Sequence, residues 1–174
     1  MKPSFIMIHH TAVSYEKNPD QFIANNAYHK AQWKFKSSMG FYLGYNYEIV
    51  KNGKVYQARK NGETTAACYQ SDMNDGRCIH IALDGNFDTE KPFPNQIFAL
   101  RDLMKELVAE FDIKKNNIIL HRGYANKSCP GNNVEIGFIQ SLVFPDAVEN
   151  PDTPDLKEKL IKLVQELLSL IRKI

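Results

Sequence analysis

The chain has 174 residues, 43% of them apolar, and a formal net charge of +2. That is enough for one domain with a real core and not comfortably two. Its lysines and arginines are scattered, which excludes the basic stripe of a nucleic-acid binder, and no apolar run approaches the ~18 residues of a membrane span.

The opening MKPSFIMIHH has one lysine, a proline and a short apolar run. It lacks the long apolar region and small-residue cleavage site of a secretory signal, so synthesis and initial retention in a cytoplasm are expected. The run SFIMIHH reads as a buried strand ending on two histidines. Residues 19–36 begin with a Pro-Asp helix start and place Phe22, Ile23, Ala27 and Ala31 near helical spacing. LGYNYEIVKNGKVYQA is a hairpin signal, two β-rich runs around Asn52-Gly53. CIHIAL, residues 78–83, reads as another strand. Residues 94–111 predict an amphipathic helix with Ile97, Leu100, Leu103, Met104, Leu107 and Val108 on one face. NNIILH is a strand running into His121. Strands mixed with helices predict an α/β fold, a single mixed central β-sheet covered by helices.

A composition break follows Val143. Residues 144–155, FPDAVENPDTPD, hold three prolines and four Asp or Asn residues and read as a linker. Residues 156–174 then carry Leu156, Leu160, Leu163, Leu167, Leu170 and Ile174 at steps of four and three, an a/d pattern. Ile161, Val164, Leu168 and Ile171 widen that face. The expected organisation is a domain over 1–143, a linker over 144–155 and a C-terminal amphipathic helix over 156–174.

Chemistry concentrates in HRGYANKSCPG, residues 121–131. His121 and Cys129 are both zinc-type donors in a loop too polar to be core. Catalytic zinc keeps three protein ligands and an open position, so a third donor must come from elsewhere; His9 or His10, at the end of the first strand, supplies it. Strand neighbours point to opposite faces, so only one of the two faces the metal. The eight-residue spacing from His121 to Cys129 does not match a structural zinc knuckle. The three cysteines, Cys68, Cys78 and Cys129, are an odd count that argues against a disulfide framework. Cys68 and Cys78 read as reduced core fillers, whereas Cys129 stands among polar and turn residues. By residue type alone, Lys127 reads as an exposed loop charge and Tyr45 as a strand aromatic.

IMIHHTA, GYNYEIVKNGKVYQAR, ALDGNF and IILHRGYANKSCPG occur in this order, and over about residues 4–140 the chain resembles the zinc-dependent N-acetylmuramoyl-L-alanine amidases, the group that includes phage endolysins and peptidoglycan recognition proteins. The resemblance implies a Zn2+ site formed by His9, His121 and Cys129. It implies catalytic roles for Tyr45 and Lys127, and peptidoglycan as partner, through its stem peptide and N-acetylmuramic acid. The chemistry suits those residue types: zinc brings the pKa of bound water to about 7 and polarises a carbonyl. A cation such as Lys127 stabilises an oxyanion, and Tyr45 can hydrogen-bond the attacking water or relay a proton. His29 and Arg59 match common family positions, His29 as a structural residue bonded to a loop, Arg59 as the holder of a loop or of a substrate carboxylate.

Two departures stand out. TTAACYQ lacks a histidine that many members carry there, and His80 stands where relatives commonly carry glycine. His80 is expected to be a partly buried strand residue that narrows the cleft, not a ligand. The function implied is an endolysin that cuts between N-acetylmuramic acid and L-alanine on the cell wall after release. The alternative is a muropeptide-binding module without activity. The C-terminal helix is expected to pair with copies of itself; folding back on its own domain, or lying on a membrane surface through Lys157, Lys159, Lys162, Arg172 and Lys173, are the alternatives.

Overall fold

Phe5–His10 (β1) and Cys78–Leu83 (β4) form the centre of the sheet, and a computed structural model describes them within residues 1–14, 20–145, 158, 161, 162, 164 and 165. The two strands pair in parallel from Phe5↔Cys78 to His10↔Leu83. Both are buried along almost their whole length, which is why each reads as a continuous apolar run and not as an alternation. Ile118–Leu120 (β5) pairs in parallel with β1 on its other side. Tyr47–Ile49 (β2) pairs in parallel with β4 and antiparallel with Val55–Gln57 (β3). The order is β3-β2-β4-β1-β5, the mixed sheet of an α/β fold. The hairpin turns at Asn52-Gly53 as expected. Gly53 has φ +89, and a Cβ there would lie 2.7 Å from the carbonyl oxygen of Asn95, so only glycine fits.

Alternation along the central strands separates two faces. Ile6, Ile8, Ile79, Ile81 and Leu83 form an aliphatic face. Met7, His9, Cys78, His80 and Ala82 form the other. The helix Pro94–Phe111 (α2) lies at its predicted bounds and covers the aliphatic face, with Glu106 and Glu110 near Tyr47. Leu100, Met104 and Leu107 of its expected stripe are buried, and Ile97, Leu103 and Val108 are half-buried. Gln96 joins the buried face: its Nε2 donates to the carbonyls of Ile49 and Asp84, tying the helix start to two strand ends. A short helix, Ile136–Ser141 (α3), lies against β5 and had no clear signal in the sequence.

The helix Phe22–Trp33 (α1) covers the histidine face, and here the expected stripe is corrected. Phe22 is buried, but Ile23 is 71% exposed and Ala27 and Ala31 are exposed as well. The inward face runs through Phe22, Asn25, Asn26 and His29, at helical spacing but mostly polar. Asn25 donates to Glu48, Asn26 Oδ1 accepts from the amides of Tyr42 and Leu43, and His29 Nδ1 accepts from the amide of Gly44. The helix is held by hydrogen bonds to the 41–46 loop as much as by apolar area, a pattern that a search for apolar periodicity passes over.

The chain divides into two compact units, Met1–Val143 and Phe144–Ile174. Most of the expected linker and C-terminal helix lies outside the described residues; residues 158, 161, 162, 164 and 165 are helical, with Ile161 and Val164 exposed. Among the described residues no helix is long and apolar enough to cross a membrane.

Glu48 of β2 and Asp84, just after β4, are both fully buried and hydrogen-bond to each other. Glu48 Oε2 and Asp84 Oδ1 have no other donor, so one proton shared between the carboxyls satisfies both. Burial first, then the neighbouring carboxylate and Asp20, holds Glu48 well above the usual carboxyl range, and burial raises Asp84 too. A carboxyl whose pKa is raised by folding contributes stability that is full below its unfolded value and is lost as pH climbs through the folded value. Denaturant unfolding at intervals from about pH 4 to about pH 8 is therefore expected to show a decline on the order of 1–2 kcal/mol. Glu48→Gln, which keeps a donor toward Asp84, should flatten that decline.

Candidate metal centre

The parallel register delivers the site. Ile8 pairs with Leu120 and Met7 with His80, so the next residue of β1, His9, lies beside His121 at the end of β5 and near His80. His121 opens a tight 3-10 turn, His121–Gly123, in place of the longer strand expected. The 122–131 loop then folds back. The amide of Arg122 donates to the carbonyl of Cys129 at 2.6 Å, and its guanidinium donates to the carbonyls of Gly131 and Val134. Asp88 receives bonds from the Ser128 hydroxyl and the Asn132 amide. Cys129 is thereby carried back to β1.

His9, His121 and Cys129 are all buried, and one ligand atom from each lies within 4.8 Å of the others. His9 Nδ1 is 3.8 Å from Cys129 Sγ, and the His9 and His121 rings are 4.5 Å apart. Both His121 nitrogens are buried without a hydrogen-bond partner. A buried imidazole that turns no nitrogen to protein is costly unless another group takes it up, and a metal ion fits that description. The backbone amide of His10 points at Cys129 Sγ from 3.4 Å, a donor suited to thiolate. His10 itself faces elsewhere, its Nδ1 accepting from the amide of Phe87. The strand alternation that assigns one histidine to the centre thus selects His9.

The electrostatics favour a cation between these donors. Burial, followed by the neighbouring histidines, holds His9 well below its ordinary pKa. Burial and then the Lys127 ammonium bring His121 down to about 4. Both imidazoles are neutral at pH 7 and present lone pairs. Burial pushes the Cys129 thiol up to about 11, partly offset by the His10 amide and Lys127. A bound divalent ion would reverse that penalty by pairing with the thiolate.

A groove of about 820 Å³ opens over the centre, lined among others by Trp33, Tyr45, His121, Lys127 and Cys129. Tyr45 belongs to the bend before β2, not to a strand. Its ring lies 5.0 Å from His9, and burial holds its phenol far above the usual value, so it stays protonated. The bend is pinned from both sides. His29 takes the Gly44 amide on one side of Tyr45, and Asn46 on the other bonds β4 through the His80 amide and carbonyl and bonds the carbonyl of Lys60. Lys127 is exposed on the groove wall. Arg59 is fully buried, its guanidinium donating to the carbonyls of Phe35, Leu43 and Thr64; it holds loops, and its donors are not turned to a substrate carboxylate. The TTAACYQ stretch forms a wall of the groove, organised by Asn74 Oδ1, which accepts from Thr65, Ala67 and Cys68.

His80 departs most from expectation. It is fully buried and does not line the groove. Its Nδ1 is 2.9 Å from His9 Nε2 and its Nε2 is 2.7 Å from the carbonyl oxygen of Met73. The signal was available: a histidine inside a strand with no exposed face must find a polar partner.

Comparison with known proteins gives a consistent picture. Residues 1–132 match the family model described as N-acetylmuramoyl-L-alanine amidase. The chain is 25% identical to the endolysin N-acetylmuramoyl-L-alanine amidase LysCS from Clostridium intestinale URNW, with TM-score 0.68 over 84% of this chain and 86% of that one. It is 31% identical over 90 residues to peptidoglycan-recognition protein SD of Drosophila simulans, a match spanning 51% of this chain and 47% of that protein, about half the length of the curated relative. It shares the fold of a Drosophila PGRP-LB variant solved in complex with tracheal cytotoxin, with TM-score 0.65, 20% identity and coverage of 81% and 82%.

Gly131 sits where the loop crosses Phe87. Its φ is +102, and a Cβ would fall 2.3 Å from the Phe87 carbonyl carbon. Gly131→Ala is expected to cost more than about 1 kcal/mol, read as a lowered Tm.

Proposed function

The chain belongs to the N-acetylmuramoyl-L-alanine amidase family, and we propose that it is a zinc-dependent hydrolase of the amide between N-acetylmuramic acid and L-alanine in peptidoglycan. The observation that carries this reading is the buried His9–His121–Cys129 cluster, of which His121 and Cys129 line a groove that also presents Tyr45 and Lys127. A purely structural cluster has no need of a groove, and a groove that only binds has no need of two partnerless nitrogens on His121.

His9 Nδ1, a nitrogen of His121 and Cys129 Sγ would hold the ion. Zinc in such a set supplies Lewis acidity, making hydroxide available near pH 7 and polarising a carbonyl. The protein's own residues do the rest. The thiolate of Cys129 leaves the centre with less positive charge than three imidazoles would. Lys127 offsets negative charge developing on the carbonyl oxygen; removing one such group costs on the order of 10²–10³ in rate. Tyr45, protonated and held by the His29 and Asn46 anchors, donates a hydrogen bond into the site and can relay a proton, taking one from the attacking water as it gives its own to the departing amine, so that the phenol stays neutral. Trp33, half-exposed at the groove edge, gives the substrate an apolar surface.

The proposal extends to biological setting. Similarity to a clostridial endolysin supports a phage or prophage enzyme, made in the cytoplasm and acting on the cell wall after release. It extends also to self-association through the helix expected over 156–174, which would raise avidity for a polymeric wall. Deletion of 150–174 should lower the mass in light scattering to that of a monomer; an unchanged subunit count would sink the pairing idea.

Peptidoglycan digestion followed by mass spectrometry tests the activity. Free stem peptides beginning at L-alanine should appear, vanish with a chelator and return with zinc. Cys129→Ser should abolish release while leaving the fold intact by circular dichroism, and Lys127→Ala should slow it about 10²–10³-fold. Zinc binding without released peptide would favour the muropeptide-binding module, the reading that the recognition-protein relatives support.

A further inference from the structure

The His9–His80–Met73 chain has a direction. The carbonyl oxygen of Met73 only accepts, so the His80 Nε2 at 2.7 Å from it carries the hydrogen. In a neutral imidazole the other nitrogen is then bare, so His80 Nδ1 accepts, and the His9 Nε2 at 2.9 Å donates to it. By the same rule His9 Nδ1 carries no hydrogen. That is the nitrogen 3.8 Å from Cys129 Sγ.

We propose that His80 is a positioning residue for the metal centre: bonded to the Met73 carbonyl, it holds His9 in the tautomer and ring orientation that turn a bare Nδ1 toward His121 and Cys129. The inference rests on the zinc reading of the site and deepens it. A ligating imidazole is commonly fixed by a carboxylate, a backbone carbonyl or water on its other nitrogen. Here a second imidazole is interposed, and the carbonyl stands one step further out. The chain is anchored at both ends. The backbone of His80 is clamped by Asn46, its amide donating to Asn46 Oδ1 and its carbonyl accepting from the Asn46 amide. Met73 sits in the packed cluster of Met7, Cys68 and Cys78. The same Asn46 follows Tyr45 directly, so one asparagine sets the orientation of the relay and the placement of the groove tyrosine. Without His80, the buried His9 Nε2 has no acceptor at that position, and the ring is free to flip or to move its hydrogen to Nδ1.

The discriminating variants use shape. In asparagine the side-chain oxygen occupies nearly the place of an imidazole Nδ1, so His80→Asn keeps an acceptor for His9, whereas His80→Leu removes it. Zinc affinity is read by competition with a chromophoric chelator on the full chain, with no substrate present. His80→Leu is expected to bind zinc about 10–100-fold more weakly, and His80→Asn to stay within a few-fold of the wild type. Equal affinity in all three proteins, or equal loss in both variants, overturns the proposal. Nitrogen-15 spectra of histidine in the metal-free wild type give a second reading that does not depend on a variant folding. His9 should show a protonated Nε2 and a bare Nδ1; the opposite tautomer overturns the relay. These measurements concern the metal alone. A wild type that binds zinc and releases no stem peptide would refute the amidase reading while leaving the relay to stand or fall on its own data.

Discussion

Everything in the site depends on the register of one strand. β1 lies between β4 and β5, parallel to both, with Met7 opposite His80 and Ile8 opposite Leu120. Parallel strands end on the same edge of a sheet, so the side chains at those ends converge. Because side chains alternate with a period of two, a slip of one residue would send His9 to the aliphatic face and bring His10 to the centre. The pure apolar character of Ile6, Ile8, Ile79 and Ile81 resists that slip, since it would bury histidine against α2. The packing of the far face thus enforces the chemistry of the near one.

The near face is built on a different economy. Where α1 meets the sheet, Phe22 stacks on Tyr56 and polar side chains take over beyond it: Asn26, His29, Asn46, Asn74 and Arg59 each fix a loop by bonding its amides or carbonyls, and Asn25 bonds the Glu48 carboxyl. Such bonds are directional. Apolar packing tolerates sliding, whereas a loop held at defined amides does not. That suits a groove whose tyrosine comes from one loop and whose lysine and cysteine come from another. The groove wall over 65–74, with no strand and only one short 3-10 turn, Ser71–Asn74, is likewise tied together by the Asn74 side chain.

Burial supplies the remaining condition. Three histidines within reach of one another would repel if charged, and desolvation keeps His9, His80 and His121 neutral. Neutral rings have one donor and one bare nitrogen each, so their hydrogen bonds acquire a direction, and that direction ends at the face shared with Cys129. Lys127 remains exposed at the rim. Its charge depresses His121 and eases ionisation of Cys129 without being buried itself. The groove therefore combines a dry, neutral floor able to hold a cation with a wet, charged wall able to meet a developing anion.

Sequence alone was sufficient wherever the signal was local. The strands at 5–10 and 78–83, the Asn52-Gly53 turn and the helix over 94–111 follow from apolar runs, turn chemistry and a 3.6-residue period. His9, His121, Cys129, Tyr45 and Lys127 were nameable because they sit in short motifs in a recognisable order. What the sequence could not carry was anything decided by two distant segments at once. The face of α1 was misjudged because its partners are amides of residues 42–44, and polar contacts leave no hydrophobic period. Arg59 was ambiguous between a loop and a ligand until its three carbonyl partners came together from 35, 43 and 64. His80 reads from the sequence as a strand residue and not a ligand, but its bond to His9 is set by the pairing of β4 with β1, 71 positions apart in the chain. A histidine's role is set by what each ring nitrogen meets, and only tertiary structure decides that.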